Sequence, residues 1–125
     1  MEQMTQRRSP LPSVFDKLKT IPPGTPGIYA IILMAACRLY IGSSRNMRFR
    51  LETQLKELRL GLHRNPVLQS AWRRYGPRAF NVCVFEDVHD LTRLREREQA
   101  WIEQLRTLYP YGFNRQPIRD PQMSR

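Results

Sequence analysis

Gly27-Ile28-Tyr29-Ala30-Ile31-Ile32-Leu33-Met34-Ala35-Ala36-Cys37-Arg38-Leu39-Tyr40-Ile41-Gly42 is the stretch that decides the architecture. It carries two tyrosine triplets, Gly27-Ile28-Tyr29 and Tyr40-Ile41-Gly42. Residues 28–34 and 38–42 are rich in Ile and Tyr and read as strands. They are close enough in the chain to pair as a hairpin. The segment between them, Met34-Ala35-Ala36-Cys37, lacks the Asn-Gly or Asp-Gly that favours a tight reversal. Alternation puts Tyr29, Ile31 and Leu33 on one face and Ile28, Ala30 and Ile32 on the other. Both faces are apolar around Ile31 to Leu33, which predicts a sheet covered on both sides.

Downstream the period changes. Ser43 and Ser44 are candidate caps for a helix over residues 45–60, with Met47, Leu51, Leu55, Leu58 and Leu62 as its apolar stripe and Gly61 at its end. Asn65-Pro66 opens a second helix, Asn as cap and Pro in the first turn. Leu68, Ala71, Trp72 and Tyr75 make its inner face, and Gly76-Pro77 stops it. Residues 80–85 alternate as a third strand. Asp90 caps a final helix to about residue 108, with Leu91, Leu94, Trp101, Ile102 and Leu105 inward. A helical turn is expected over residues 14–19 within a proline-rich lead-in. The fold class is α/β in the α+β sense: a small three-stranded mixed or antiparallel sheet flanked by helices, in the order β-β-α-α-β-α.

A chain of 125 residues suits one domain. No apolar run approaches the roughly 18 residues of a membrane span. Residues 1–10 are polar, without a signal-peptide core, so a cytoplasmic location is expected. Cys37 and Cys83 stand alone, which speaks against structural zinc and for two small buried thiols.

The formal charge is +10, and it is unevenly placed. Residues 45–78 hold Arg45, Arg48, Arg50, Lys56, Arg59, Arg64, Arg73, Arg74 and Arg78 against only Glu52 and Glu57. Nearly all are arginine, which grips phosphate oxygens bidentately. A basic third of a chain, next to a tyrosine pair, points to a nucleic-acid backbone.

Glu98 is the odd residue of the last helix. It sits four positions after Leu94 and three before Trp101, on the apolar stripe. A carboxylate there is costly unless paired or metal-bound. No acidic residue occurs between Asp16 and Glu52. Two-metal nucleases need several carboxylates, so one candidate suggests a single hard cation held mostly by water and phosphate.

The combined pattern resembles the GIY-YIG nuclease superfamily, most closely the catalytic domains of phage and intron homing endonucleases. The resemblance covers residues 21–114 and rests on Gly27-Ile28-Tyr29, Tyr40-Ile41-Gly42-Ser43-Ser44, Arg50, Gly61-Leu62-His63, Leu68-Gln69-Ser70-Ala71-Trp72, Tyr75-Gly76, Phe80, Glu96-Arg97-Glu98-Gln99-Ala100-Trp101-Ile102 and Gly112-Phe113-Asn114. It implies metal-assisted hydrolysis of a DNA phosphodiester with Mg²⁺, or Mn²⁺ in its place. It also implies roles. Tyr29 is the base, directly or through water, and Tyr40 orients water or phosphate. Arg50 stabilises phosphoryl charge and Glu98 holds the metal. His63 aids proton traffic or meets phosphate, and Asn114 fixes Glu98 or the substrate backbone. Arg45, Arg48, Lys56, Arg59, Arg64, Arg73, Arg74 and Arg78 are the DNA-binding candidates.

Two positions depart from the family. Gln54 stands where several homing members carry a histidine, and Ser43-Ser44-Arg45 where repair members carry a lysine. The expected organisation is a flexible lead-in over 1–20, a nuclease domain over 21–114 and a flexible tail over 115–125. A lone module of this kind is expected to bind DNA weakly and with little sequence preference unless it dimerises or a partner protein supplies recognition. The alternatives are a structure-specific repair or recombination nuclease, and a catalytically silent DNA-binding module.

Overall fold

The computed structural model describes residues 13–115. Its elements run α1 (Val14–Leu18), β1 (Gly27–Leu33), β2 (Arg38–Ser44), α2 (Met47–Leu60), α3 (Pro66–Tyr75), β3 (Phe80–Asp87) and α4 (Leu94–Leu105). The three strands form one antiparallel sheet in the order β2-β1-β3. This is the expected β-β-α-α-β-α order with the short α1 in front. Val14 and Leu18 of α1 are buried in the core, so the packed body already includes part of segment 1–20. Residues 1–12 and 116–125 of the expected lead-in and tail lie outside the described residues.

Both faces of the sheet are covered, as the alternation of β1 requires. Tyr29, Ile31 and Leu33 pack with Met47, Leu51, Leu55 and Leu58 of α2, Leu68 and Trp72 of α3, and Phe113. Ile28, Ala30 and Ile41 pack on the opposite face with Val88 and Ile102, edged by Leu94 and Trp101 of α4. The hairpin closes through a single 3₁₀ turn, Met34–Ala36, and Cys37 takes the left-handed conformation at φ 50°. That turn leaves Cys37 exposed rather than buried as expected, while Cys83 is half-buried.

Strand β2 is longer than the sequence suggested. Ser44 pairs with Gly27 and Ser43 with Ile28, so both serines belong to the strand. The cap of α2 is therefore Asn46, whose side chain accepts from the Phe49 N–H. Ser44 supports it by accepting from the Asn46 N–H at 2.9 Å. Helix α3 starts as expected, with Asn65 capping and Pro66 at the first position. A register shift between Ile28 and Tyr29 against β3 marks a bulge beside the first tyrosine.

Some expected core positions face outward. Leu62 follows the left-handed Gly61 and is exposed. Tyr75 is the last residue of α3 and is exposed, with the Arg74 guanidinium over its ring at 5.4 Å. Leu91 sits in a 3₁₀ turn before α4 and Leu105 at the helix end, and both are exposed because α4 is shorter than predicted. No helix among the described residues is long and apolar enough to cross a membrane.

Candidate active site

Two faces of the sheet meet at its open edge. Strand β2 is the edge strand. Tyr40 and Gly42 point to the α2 side, with Tyr29 opposite Gly42 on the central strand. Ser43 points to the α4 side. There its hydroxyl donates to Glu98 Oε1 at 2.5 Å. An edge strand has no neighbour on one flank, so groups above and below it can reach around to one another.

The glycines of both triplets are positions of close approach. A Cβ on Gly42 would collide with the Tyr29 phenol, and a Cβ on Gly27 would collide with the Glu86 carbonyl. Each lets a neighbouring group sit against bare backbone.

Tyr29 is only 1% exposed, whereas Tyr40 is partly exposed. Burial pushes the Tyr29 phenol well above its ordinary pKa; the Tyr40 charge adds to this, and the Arg50 guanidinium opposes it by charge and by hydrogen bonding. Glu98 raises it further. Tyr40 is also raised, again first by burial, with Arg50 and Arg64 opposing and Glu98 adding. The same four groups thus act on each other across the β2 edge.

Arg50, Gln54 and Glu57 are spaced by four and three along α2, so they share the helix stripe beside the core stripe. Gln54 was not expected in the site. Its Nε2 donates to the Tyr29 phenol oxygen, and its Oε1 faces His63 Nε2 at 2.8 Å. His63 Nδ1 accepts from the Asn65 N–H at 3.0 Å. Both ring nitrogens are therefore engaged within the protein, which leaves no nitrogen for the expected phosphate contact. Burial lowers the His63 pKa, with Glu57 opposing. Its ring stands edge-on to Tyr40, centroids 5.7 Å apart.

Asn114 is also buried, and its amide is bonded away from Glu98. Its Oδ1 accepts from the Ile41 N–H and the Thr107 hydroxyl, both at 2.8 Å, and its Nδ2 donates to the Ile41 carbonyl at 2.9 Å. The amide is committed to the backbone between Tyr40 and Gly42, so it fixes the edge strand rather than Glu98. Asn65 donates to the Phe113 carbonyl at 2.7 Å, and the Phe113 N–H in turn donates to the Leu39 carbonyl of β2 at 2.8 Å.

Helix α4 is anchored to β3 through Glu86. Arg97 Nε and Trp101 Nε1 both donate to Glu86 Oε1 at 2.9 Å. This pair of bonds sets the rotation of α4 that brings Glu98 to Ser43.

A depression of about 230 Å³ opens in front of Tyr40, lined by Arg64, Asn65, Asn114 and Arg115. Arg64 is thus at the site, and Arg115 joins it unforeseen. The other candidates are spread. Arg48 pairs with Glu52 at 3.5 Å, Arg59 lies over the Phe15 ring, and Arg73 donates weakly to the Gly61 carbonyl. Arg45, Lys56, Arg74 and Arg78 are exposed. Among the described residues there is no group of three or more His, Cys, Asp or Glu placed to hold a metal. The donor set on offer is Glu98 with the Ser43 hydroxyl. That set fits a hard cation taking one carboxylate and filling its other positions with water and phosphate.

Comparison with known proteins gives a consistent picture. The GIY-YIG catalytic domain family matches residues 25–112. Intron-associated endonuclease 1 of Enterobacteria phage T4 is 29% identical over 80 residues, covering 63% of this chain and 32% of that protein. The chain therefore matches about a third of that relative's length. The catalytic domain of the homing endonuclease I-TevI has a similar structure, with TM-score 0.66 and 27% identity over 76% of this chain and 99% of that domain. A glutamate-to-alanine variant of the I-TevI domain gives TM-score 0.65 at 26% identity, over 72% and 92%.

Proposed function

The chain belongs to the GIY-YIG catalytic domain family, and from that premise we propose that it is a metal-dependent DNA endonuclease whose phosphodiester hydrolysis takes place at the β2 edge. One observation carries the reading: Tyr29, Tyr40, Arg50 and Glu98 act on one another by charge, and Tyr40 opens onto a depression lined by Arg64 and Arg115.

Tyr40 is the phenol that meets the substrate, because Tyr29 is sealed beneath Gly42. Tyr29 is the base acting through it. The attacking water gives its proton to Tyr40 while Tyr40 passes its own to the ionised Tyr29 oxygen, the water oxygen bonds to phosphorus, and the 3′ oxygen leaves with the P–O electrons. Arg50 favours the phenolate by its charge and faces the phosphoryl oxygens, where negative charge grows. Arg64 and Arg115 hold the flanking phosphates. Glu98, oriented by Ser43, is the residue that would hold Mg²⁺ or Mn²⁺. Such an ion supplies positive charge to the phosphoryl and leaving oxygens. These contacts meet phosphates, which position a duplex without reading it, so this module binds DNA with little sequence preference unless it dimerises or a partner protein supplies recognition.

A plasmid-cleavage assay tests this. Wild type is expected to cut with Mg²⁺ or Mn²⁺ and stop with chelator, and Glu98→Ala and Tyr40→Phe are expected to lose about 10²-fold or more in rate. Wild-type cleavage by Glu98→Ala removes the metal assignment. DNA binding without cleavage by wild type replaces the nuclease with a binding module. Preference for branched over linear substrates identifies a structure-specific enzyme.

A further inference from the structure

A buried string of side chains stands behind the tyrosines, and the roles above leave it unused. Asn65 donates its N–H to His63 Nδ1. The ring hydrogen must then be on Nε2, which donates to Gln54 Oε1. The carboxamide is held one way round, so its N–H group faces the Tyr29 oxygen. Gln54 is 1% exposed, and water does not compete for these bonds. Every link runs in the same direction. A phenol oxygen that receives a fixed N–H must send its own hydrogen elsewhere. Arg50 also offers only donors, so the Tyr29 oxygen is met by donors from both Gln54 and Arg50.

We propose that Gln54 is a positioning residue of the cleavage site: an uncharged amide, clamped by His63, that keeps a donor on the Tyr29 oxygen and steadies negative charge there. The inference rests on the nuclease reading of the same site. His63 acts through Gln54 and carries no proton in the reaction. The groups facing the string are Arg50 and Glu57 of α2, Arg64 beside His63, Tyr40 of β2 and Glu98 of α4. An amide does not ionise in the range where histidine does, so position 54 adds no pH dependence near neutrality.

The test uses the full chain, with cleavage kinetics against pH and NMR of tyrosine labelled at the ring carbon that bears oxygen. In Gln54→Glu the carboxylate accepts from both neighbours, and the Tyr29 hydroxyl turns inward. Its kcat is expected to fall about 10²-fold while KM for DNA stays within about twofold. In Gln54→His a neutral imidazole can accept from His63 and donate to Tyr29. That variant should keep most of its rate at about pH 8 and lose it below about 6.5, an acid limb that wild type lacks. The Tyr29 resonance should move in Gln54→Glu and stay close to wild type in Gln54→His at about pH 8. A wild-type rate in Gln54→Glu, or a wild-type pH profile in Gln54→His, overturns the proposal. If Gln54→Glu does not fold, the Gln54→His profile and resonance decide. A wild type that fails to cut refutes the nuclease instead, and the Tyr29 resonance still reports whether Gln54 keeps a donor on its oxygen.

Discussion

Gly42 lies directly opposite Tyr29 across the β1–β2 ladder, and the Tyr29 phenol fills the space that any side chain at position 42 would need. The two triplets are therefore one packing unit, in which the second glycine makes room for the first tyrosine.

Gly42→Ala follows from that contact. The added methyl must displace either the phenol or the edge strand. Overpacking of this kind costs about 1–3 kcal/mol. The urea midpoint should drop accordingly, and cleavage should fall further than stability does, because the displaced group is the phenol itself. A variant with unchanged midpoint would show that the edge strand yields freely.

Asn114→Ala separates a structural asparagine from a substrate-binding one. It removes the amide that satisfies the buried Ile41 N–H, and such a loss costs about 1–3 kcal/mol. The expected result is a lowered urea midpoint with KM for DNA nearly unchanged when measured well below the unfolding transition. A raised KM at full stability would place the side chain on the substrate.

Stability should fall at both pH extremes, for different groups. Tyr29 and Tyr40 are raised by burial, so the unfolded chain ionises them first. Their contribution is complete below about pH 10 and is lost as pH rises above it. Tyr29→Phe should flatten the alkaline loss. His63 is lowered by burial, so its contribution is complete above about pH 6.5 and is lost as pH falls toward its depressed folded value. Urea midpoints across the range, for wild type and His63→Gln, check both signs.

The arginines should separate in a salt titration of DNA binding. Arg64 lines the depression at Tyr40, whereas Arg59 lies over Phe15. Arg64→Ala is expected to reduce the slope of log affinity against log salt by about 1, and Arg59→Ala to leave it unchanged. Equal effects would mean that DNA follows α2 rather than the β2 edge.

Much of this protein is legible before folding. Ile- and Tyr-rich segments at strand length give the hairpin. Asn65-Pro66 gives the start of α3. Of the two glutamates between Leu94 and Trp101, only Glu98 falls on their shared stripe, and a carboxylate there needs a partner. That partner, Ser43, was not legible, since a serine after a strand reads equally well as a helix cap. Leu62, Tyr75, Leu91 and Leu105 were misplaced for a related reason. Apolar periodicity tells which side of an element faces inward, but not how far the neighbouring layer extends.

By itself the sequence determined the alternation of β1, the spacing of the triplets and the arginine-rich segment, because these depend on local period and composition. Only the tertiary structure decided that Tyr29 is sealed, that Asn114 grips Ile41, that Gln54 and His63 back the tyrosines, and that Glu98 comes from the opposite face. Those relations join residues distant in the chain. Their geometry depends on β2 lying at the sheet edge, where side chains from two layers can reach a common space.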